Sequence, residues 1–144
     1  MFKKILVPVD GSKSSYFVLE QAIELFKDSE IIVLTVCDVK YQPPFRYYRE
    51  IGLTDNILRE YAKKITEEAE KIATERGIKI KTIIRKGKPV EEILTVAKEI
   101  GANVILMATH TEPTERFFFG SVTEGVLKKA PREIPILVWR GGKG

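Results

Sequence analysis

Apolar and polar positions follow two alternating patterns along the chain of 144 residues. Five short apolar runs predict β-strands, because runs of this length between turn-forming residues are typical of strands. These runs are residues 5–9, 31–36, 78–83, 104–108 and 136–139. Four longer stretches, in which apolar residues recur every three or four positions, predict helices. These stretches are residues 17–26, 57–73, 90–100 and 121–130.

Residues typical of helix boundaries occur where this pattern needs them. Ser12 or Ser14 is a candidate N-cap of the first helix. Pro89 opens the third helix, where its missing N–H costs nothing, and Gly101 follows that helix. Gly125 lies inside the last predicted helix, where glycine costs about 1 kcal/mol relative to alanine, so we expect close packing there.

Strands that alternate with helices pair in parallel through right-handed crossovers. Nearly continuous apolar strands indicate a sheet covered on both faces, whereas the half-polar alternation between Ile78 and Ile83 indicates an edge strand. The predicted fold class is α/β, a single doubly wound five-stranded parallel sheet with helices on both faces, Rossmann-like, in one domain of residues 1–144. In such sheets ligands bind beyond the carboxyl ends of the strands, at the point where strand order reverses. The first and fourth strands are the expected neighbours there.

Composition narrows the function classes. The chain has 24 Lys and Arg against 20 Asp and Glu, and because the signs are interspersed, the net charge of +4 does not indicate a nucleic-acid partner. The single cysteine, Cys37, excludes an internal disulfide and a multi-cysteine metal site, and we expect it to be a core residue.

The apolar run at 5–9 is too short for a secretory signal, and no run is long enough to span a membrane. We therefore expect a cytoplasmic protein without membrane insertion.

Five segments, in their order and spacing, carry a family resemblance. They are residues 5–12 (ILVPVDGS), 87–89 (GKP), 101–110 (GANVILMATH), 120–124 (GSVTE) and 134–138 (IPILV). Together they resemble the universal stress protein family over nearly the whole chain. The resemblance implies the sheet order 3-2-1-4-5 and a role in stress response.

The resemblance also implies a homodimer in which the last strand pairs antiparallel with its copy. That strand comprises Ile136, Leu137, Val138 and Trp139, an apolar edge that would otherwise be open to aggregation. The alternative is a monomer in which Trp139 caps the core. A regulatory protein partner is also expected, of a kind that the sequence does not identify.

One branch of that family binds ATP, and the resemblance implies an adenine-nucleotide site at the carboxyl end of the sheet. Asp10, after Pro8 and Val9, corresponds to the aspartate that takes the ribose hydroxyls, and Val36 to the backbone position that holds the adenine edge. The implied phosphate segment comprises Ala108, Thr109, His110 and Thr111 after the fourth strand, with Gly120, Ser121 and Val122 at the start of the last helix. A divalent metal is expected only together with the nucleotide.

The phosphate segment departs from the pattern of the ATP-binding branch. Ala108 and Thr111 stand at its two glycine positions, and the eight residues between Thr111 and Gly120 are one fewer than in that pattern. Glu112 and Glu115 would repel a triphosphate. The nucleoside end is thus retained while the phosphate end is altered, which favours a smaller adenine nucleotide such as AMP over ATP.

Each singled-out residue also has a structural interpretation. Asp10 fits a turn or helix-capping aspartate, and His110, the single histidine, fits a hydrogen-bonded loop residue. The aromatic segment at 41–49 fits a lid over the site, a stacking or protein-binding surface, or a loop packed on its own domain.

No catalytic or metal-ligand constellation is visible, so a regulatory or sensing module is expected, with at most weak ATP hydrolysis. The alternatives are a protein-binding adaptor of the same fold that has lost nucleotide binding, and a slow metal-dependent ATP hydrolase.

Overall fold

Strands and helices alternate throughout the computed structural model, which describes residues 2–37, 55–109 and 116–140. The strands are β1 (Lys4–Pro8), β2 (Glu30–Cys37), β3 (Lys81–Lys86), β4 (Val104–Ala108) and β5 (Ile136–Trp139). The helices in the described residues are α1 (Lys13–Leu25), α2 (Asp55–Glu75), α3 (Pro89–Ile100) and α4 (Arg116–Lys129).

All strand pairs of the sheet are parallel, in the order β3-β2-β1-β4-β5. This confirms the predicted fold class and strand order, with β3 at an edge and β1 next to β4. β1 lies at the centre, where Ile5 pairs with Ile31 on one side and Val104 on the other. Strands buried on both faces need apolar residues at consecutive positions, which is why β1, β2 and β4 are nearly continuous apolar runs.

Two apolar clusters cover the two faces of the sheet. Ile5 and Val7 of β1 pack with α1 and α2, whereas Leu6, between them, packs with α3 and α4. Successive residues of a strand point to opposite faces, so one strand contributes to both cores. No helix in the described parts of the chain is long and apolar enough to cross a membrane.

Three predicted boundary residues act as expected. The Ser12 hydroxyl accepts a hydrogen bond from the Ser15 N–H at 3.1 Å, so Ser12 is the N-cap of α1. Pro89 is the first residue of α3, and Gly101 ends it in the left-handed conformation, at φ +70°. The local residue types thus predicted the start of α1 and both ends of α3.

Two predicted boundaries are wrong. β3 spans Lys81–Lys86 instead of 78–83, because the Ile78 N–H still donates to the Ala73 carbonyl and closes the end of α2. α4 begins at Arg116 instead of Ser121, so Ser121 lies in its second turn. No proline stands between Arg116 and Ser121 to stop the helix from extending toward its N-terminus.

The packing of α3 on α4 explains Gly125. A Cβ at this position would lie 2.7 Å from Cγ2 of Val90, which is closer than real Cβ contacts. The helices approach so closely because residue 125 has no side chain. This is the close packing expected from the sequence.

We expect Gly125→Ala to destabilise the protein by about 1–2 kcal/mol, because overpacking against Val90 outweighs the gain of about 1 kcal/mol in helix propensity. Urea denaturation followed by circular dichroism measures the change. In Val90→Ala/Gly125→Ala, where the clash is removed, the loss should be smaller than the sum of the single losses. A Gly125→Ala variant as stable as the wild type would contradict this account.

Candidate functional site

The pairing of β1 with β4 ends early, at the carboxyl side of the sheet. The β1–β4 ladder consists of Ile5 with Val104 and Leu6 with Ile105, whereas β1 stays paired with β2 up to Pro8. The Val9 N–H donates to the Leu34 carbonyl at 2.8 Å, so the backbone of Pro8, one residue earlier, faces β4.

Proline has no N–H with which to continue this ladder. The two central strands are therefore paired at their amino ends and unpaired at their carboxyl ends, which is the point where strand order reverses. Pro8 thus opens the position at which open α/β sheets bind their ligands.

A tight turn after β1 fixes Asp10. One carboxylate oxygen of Asp10 accepts a hydrogen bond from the Ser12 N–H at 2.9 Å, and the Asp10 N–H donates to the Ser15 hydroxyl at 3.3 Å. Gly11, between them, has φ +89°, a conformation that other residues rarely adopt. The turn holds the carboxylate at the carboxyl end of β1.

Burial dominates the electrostatics of Asp10. It raises the pKa of this carboxyl from 3.8 to about 6, against the opposing effect of the hydrogen bonds from Ser12 and Ser15. Burial, followed by the charges of Glu68 and Asp10, raises the pKa of Tyr16 to about 12. At neutral pH Asp10 is therefore a carboxylate, and Tyr16, whose hydroxyl donates to the Ile65 carbonyl at 3.4 Å, is a neutral phenol.

β2 extends past the end of β1 and presents backbone groups there. The Leu34 carbonyl faces β1, and the Cys37 carbonyl accepts from the Gly87 N–H, at 3.1 Å, on the β3 side. Backbone groups of successive strand residues face alternate neighbours, so the N–H and C=O of Val36 point to the β1 side, past Pro8. A donor and an acceptor next to each other match the edge of a planar heterocycle.

Two buried threonines bind the strand ends that flank this position. The Thr35 hydroxyl donates to the Val9 carbonyl at 2.9 Å, and the Thr123 hydroxyl donates to the Ala108 carbonyl at 2.7 Å. The Thr109 N–H donates to the Trp139 carbonyl at 2.9 Å, which binds the residue after β4 to β5. The sequence pattern did not predict these roles: the signal for Thr35 is a hydroxyl within an otherwise apolar strand, and the signal for Thr123 is its place in the segment at 120–124.

The predicted phosphate segment is described only in part. His110 and Thr111 lie outside the described residues, as do Glu112, Glu115 and the aromatic segment at 41–49. Ser121 is exposed, whereas the Val122 side chain is buried in the cluster beneath α3 and α4.

The expectation that Gly120, Ser121 and Val122 start the helix is wrong. Their N–H groups lie beyond the first turn of α4, and an α-helix leaves N–H groups unbonded only in its first turn. An anion at this helix would therefore meet the N–H groups of residues before Gly120.

Cys37 is 5% exposed and packs against Leu58 and Ala62, with its thiol 3.9 Å from the Leu58 carbonyl oxygen. This confirms it as a core residue. The described residues contain no group of three or more His, Cys, Asp or Glu side chains able to hold a metal ion.

The chain is similar to known proteins over its whole length. The model of the universal stress protein family matches residues 1–140. Universal stress protein MJ0531 of Methanocaldococcus jannaschii is 35% identical, over 96% of this chain and 82% of its own. Universal stress protein MJ0577 of the same organism is 33% identical, over 96% of this chain and 94% of its own.

Solved structures agree with these sequence matches. The structure of MJ0577 superposes with a TM-score of 0.77 at 34% identity, covering 100% of this chain and 99% of that one. A universal stress protein from Archaeoglobus fulgidus in complex with dAMP has a TM-score of 0.66 at 20% identity, covering 96% and 97% of the two chains, and shares the fold. A match over residues 1–140 and two relatives above 30% identity show that this chain belongs to the universal stress protein family.

Proposed function

We propose that this universal stress protein is a dimeric sensing module that binds an adenine nucleotide between the carboxyl ends of β1 and β4. The observation that carries the proposal is the opening of the β1–β4 ladder at Pro8, with Asp10 on one strand end and the backbone of Val36 next to it. The A. fulgidus relative shows that a protein of this fold holds an adenine deoxynucleotide. The assignment here rests on this chain's own residues.

Each end of the nucleotide has a proposed partner. The carboxylate of Asp10 accepts hydrogen bonds from the ribose hydroxyls, and the N–H and C=O of Val36 bind the adenine edge. Pro8 and Val9 complete the nucleoside side of the site. The phosphates lie toward Ala108, Thr109, His110 and Thr111 and toward the first turn of α4, which precedes Gly120, Ser121 and Val122. A divalent ion enters only when it is bound to the phosphates.

The phosphate side favours AMP over ATP. Gly120 and Ser121 lie inside α4, so their N–H groups are used within the helix. Glu112 and Glu115 place two carboxylates in the sequence segment that would surround the outer phosphates. A monophosphate avoids most of this repulsion while it keeps the contacts at Asp10 and Val36.

The energetics of Asp10 support a ligand-binding role over a structural one. A residue kept only for the turn would gain from a neutral side chain, since burial opposes the charge of Asp10. Functional sites often retain residues that lower stability. A ribose diol gives the carboxylate the two hydrogen bonds that offset its burial.

The character of the edge strand β5 supports the dimer. The opposite edge strand, β3, has Lys81, Arg85 and Lys86 along its length, and such charges block edge-to-edge pairing. β5 has no charged residue, and its Leu137 is 37% exposed. An apolar edge without protecting charges matches pairing with a second copy of the same strand.

Asp10→Asn should raise the free energy of unfolding at pH 7 by about 1–2 kcal/mol. Between pH 3.8 and about 6 the native chain binds the proton that the unfolded chain has lost, so wild-type stability falls as pH rises through this window. The difference between variant and wild type should therefore disappear below about pH 4. Denaturation at several pH values tests this, with Asp28→Asn, at an exposed aspartate, as the control. A less stable Asp10→Asn protein at pH 7 would show that the charge itself supports the turn.

Calorimetric titration should show AMP binding at pH 7.5, with ATP binding no tighter. Asp10→Asn should weaken AMP binding by about tenfold or more, because a charged acceptor for two hydroxyls is lost. Wild-type affinity should fall as the pH drops below 6, where Asp10 becomes protonated. The proposal fails if AMP, ADP and ATP produce neither heat nor thermal stabilisation.

Sedimentation equilibrium should give twice the chain mass of 16.4 kDa for the wild type. Leu137→Lys, which places a charge on the β5 edge, should sediment as a folded monomer. Thr82→Lys, which places the same charge on the β3 edge, should remain dimeric. A monomeric wild type would favour the alternative, in which Trp139 covers the core of a single chain.

A further inference from the structure

The net charge of the chain is concentrated at the end of the sheet opposite the nucleotide site. Parallel strands bring all their amino ends to one edge, where the carboxyl ends of the helices also lie. We call this end the basic face; it comprises residues 2–4, 26–30, 75–81, 98–103 and 128–135. It contains ten of the 24 Lys and Arg residues but only five of the 20 Asp and Glu residues. Its net charge of +5 exceeds the +4 of the whole chain.

Helix dipoles explain only part of this charge. Lys98, Lys128 and Lys129 lie in the last turns of α3 and α4, where a cation interacts favourably with the helix end. α1 and α2 have no basic residue in their last turns. Two further cations donate to carbonyls at helix ends, the Lys4 ammonium to Ile100 at 3.0 Å and the Arg76 guanidinium to Ile72 at 3.2 Å. The remaining cations of the basic face, which are Lys3, Lys27, Lys79, Lys81 and Arg132, need another explanation.

Ion pairs within the chain neutralise little of the remaining charge. Among the described residues, the cations of the basic face that form ion pairs are Arg76, with Glu20, and Lys81, with Glu30. Lys3, Lys27 and Lys79 are exposed. These lysines leave the basic face attractive to an anionic partner.

Two grooves with apolar floors open on the basic face. One has a volume of about 400 Å³ and an apolar floor of Ile32, Ile83 and Ile100, with polar residues around it that are Lys4, Glu30, Lys81 and Thr82. The other has a volume of about 440 Å³ and is lined by three apolar residues together with Lys27, Asp28 and Ser29. Those three residues are Phe2, Leu25 and Phe26, of which Leu25 is 58% exposed.

The two grooves flank the amino ends of the same two strands. Lys4 of the first groove pairs with Glu30 in the sheet, and the Ser29 hydroxyl of the second groove donates to the Phe2 carbonyl at 2.8 Å. The two apolar floors belong to the clusters on opposite faces of the sheet, so one chain that crosses the amino ends of β1 and β2 would reach both.

We propose that the basic face is a docking surface for an acidic protein segment that carries apolar side chains. The acidic groups pair with the lysines, and the apolar side chains fill the two grooves. Concave apolar floors suit side chains of a peptide better than a flat lipid surface. Phe2 and Phe26 pack against each other, with ring centroids 6.0 Å apart, which disfavours base stacking by a nucleic acid.

Fluorescence anisotropy tests this with a labelled peptide that repeats Glu-Asp-Leu-Glu-Phe, added to the full chain. The peptide should bind, and binding should weaken as salt is raised. Lys3→Glu/Lys27→Glu should weaken it by about tenfold, since charge reversal makes the rim repulsive. Lys63→Glu/Lys64→Glu changes the net charge equally on the exposed side of α2 and should change the affinity by less than about twofold.

A second pair of variants tests the apolar grooves. Leu25→Ser should weaken binding of the peptide, whereas Leu127→Ser, at a leucine 52% exposed on α4, should not. The proposal is overturned if the peptide does not bind, or if both charge reversals weaken it equally. It is also overturned if single-stranded RNA or phosphatidylserine vesicles bind more tightly than the peptide and lose binding on Lys3→Glu/Lys27→Glu. None of these measurements depends on nucleotide binding or on the dimer.

Discussion

The candidate site depends on one missing hydrogen-bond donor in the middle of the sheet. Proline is normally excluded from central strands because it cannot donate to the ladder. Here Pro8 ends the pairing of β1 with β4 while β1 remains paired with β2. The strands then separate only at their carboxyl ends, without loss of the core that holds their amino ends together. That separation leaves room for a ligand between Asp10, which the turn after β1 fixes, and the backbone of Val36, which the alternation along β2 directs toward β1.

Asp10 shows how stability and binding compete at this position. Burial raises the pKa of the carboxyl to about 6, so its ionised form is held against a desolvation cost. The hydrogen bonds of the Ser12–Ser15 turn offset only part of that cost. The carboxylate of Asp10 is fixed in place, and hydrogen bonds offset only part of its desolvation cost. A ligand with hydroxyl donors, such as a ribose, would supply further hydrogen bonds to it.

The two ends of the sheet have different chemistry because all strands are parallel. The carboxyl end brings together backbone groups, a carboxylate and the segment after β4, whereas the amino end gathers lysines around two apolar grooves. The bonds from Thr109 to β5 and from Thr123 to Ala108 connect the carboxyl end to the sheet edge and to α4. A small ligand and a protein partner would therefore occupy opposite ends of one rigid sheet.

The linear pattern of apolar residues determined the α/β class and the edge position of β3, because burial on two faces is a local requirement. Local residue types determined the helix boundaries at Pro89 and Gly101, whereas the choice of Ser12 over Ser14 as N-cap came from the structure. The family resemblance added the strand order and the candidate residues. The pattern placed the start of β3 too early. Ile78 and Ile80 pack against the core, but they precede the strand.

Only the tertiary structure decided which groups meet. Three contacts join residues from different elements: the hydroxyl bonds of Thr35 and Thr123, and the contact of Gly125 with Val90. The direction of the Val36 backbone likewise depends on which strand lies next to β2. The cations of the basic face come from five separate segments of the chain. The interspersed charges along the sequence therefore did not indicate this face. Parallel pairing brings those segments to one edge, and no pattern along the chain contains that information.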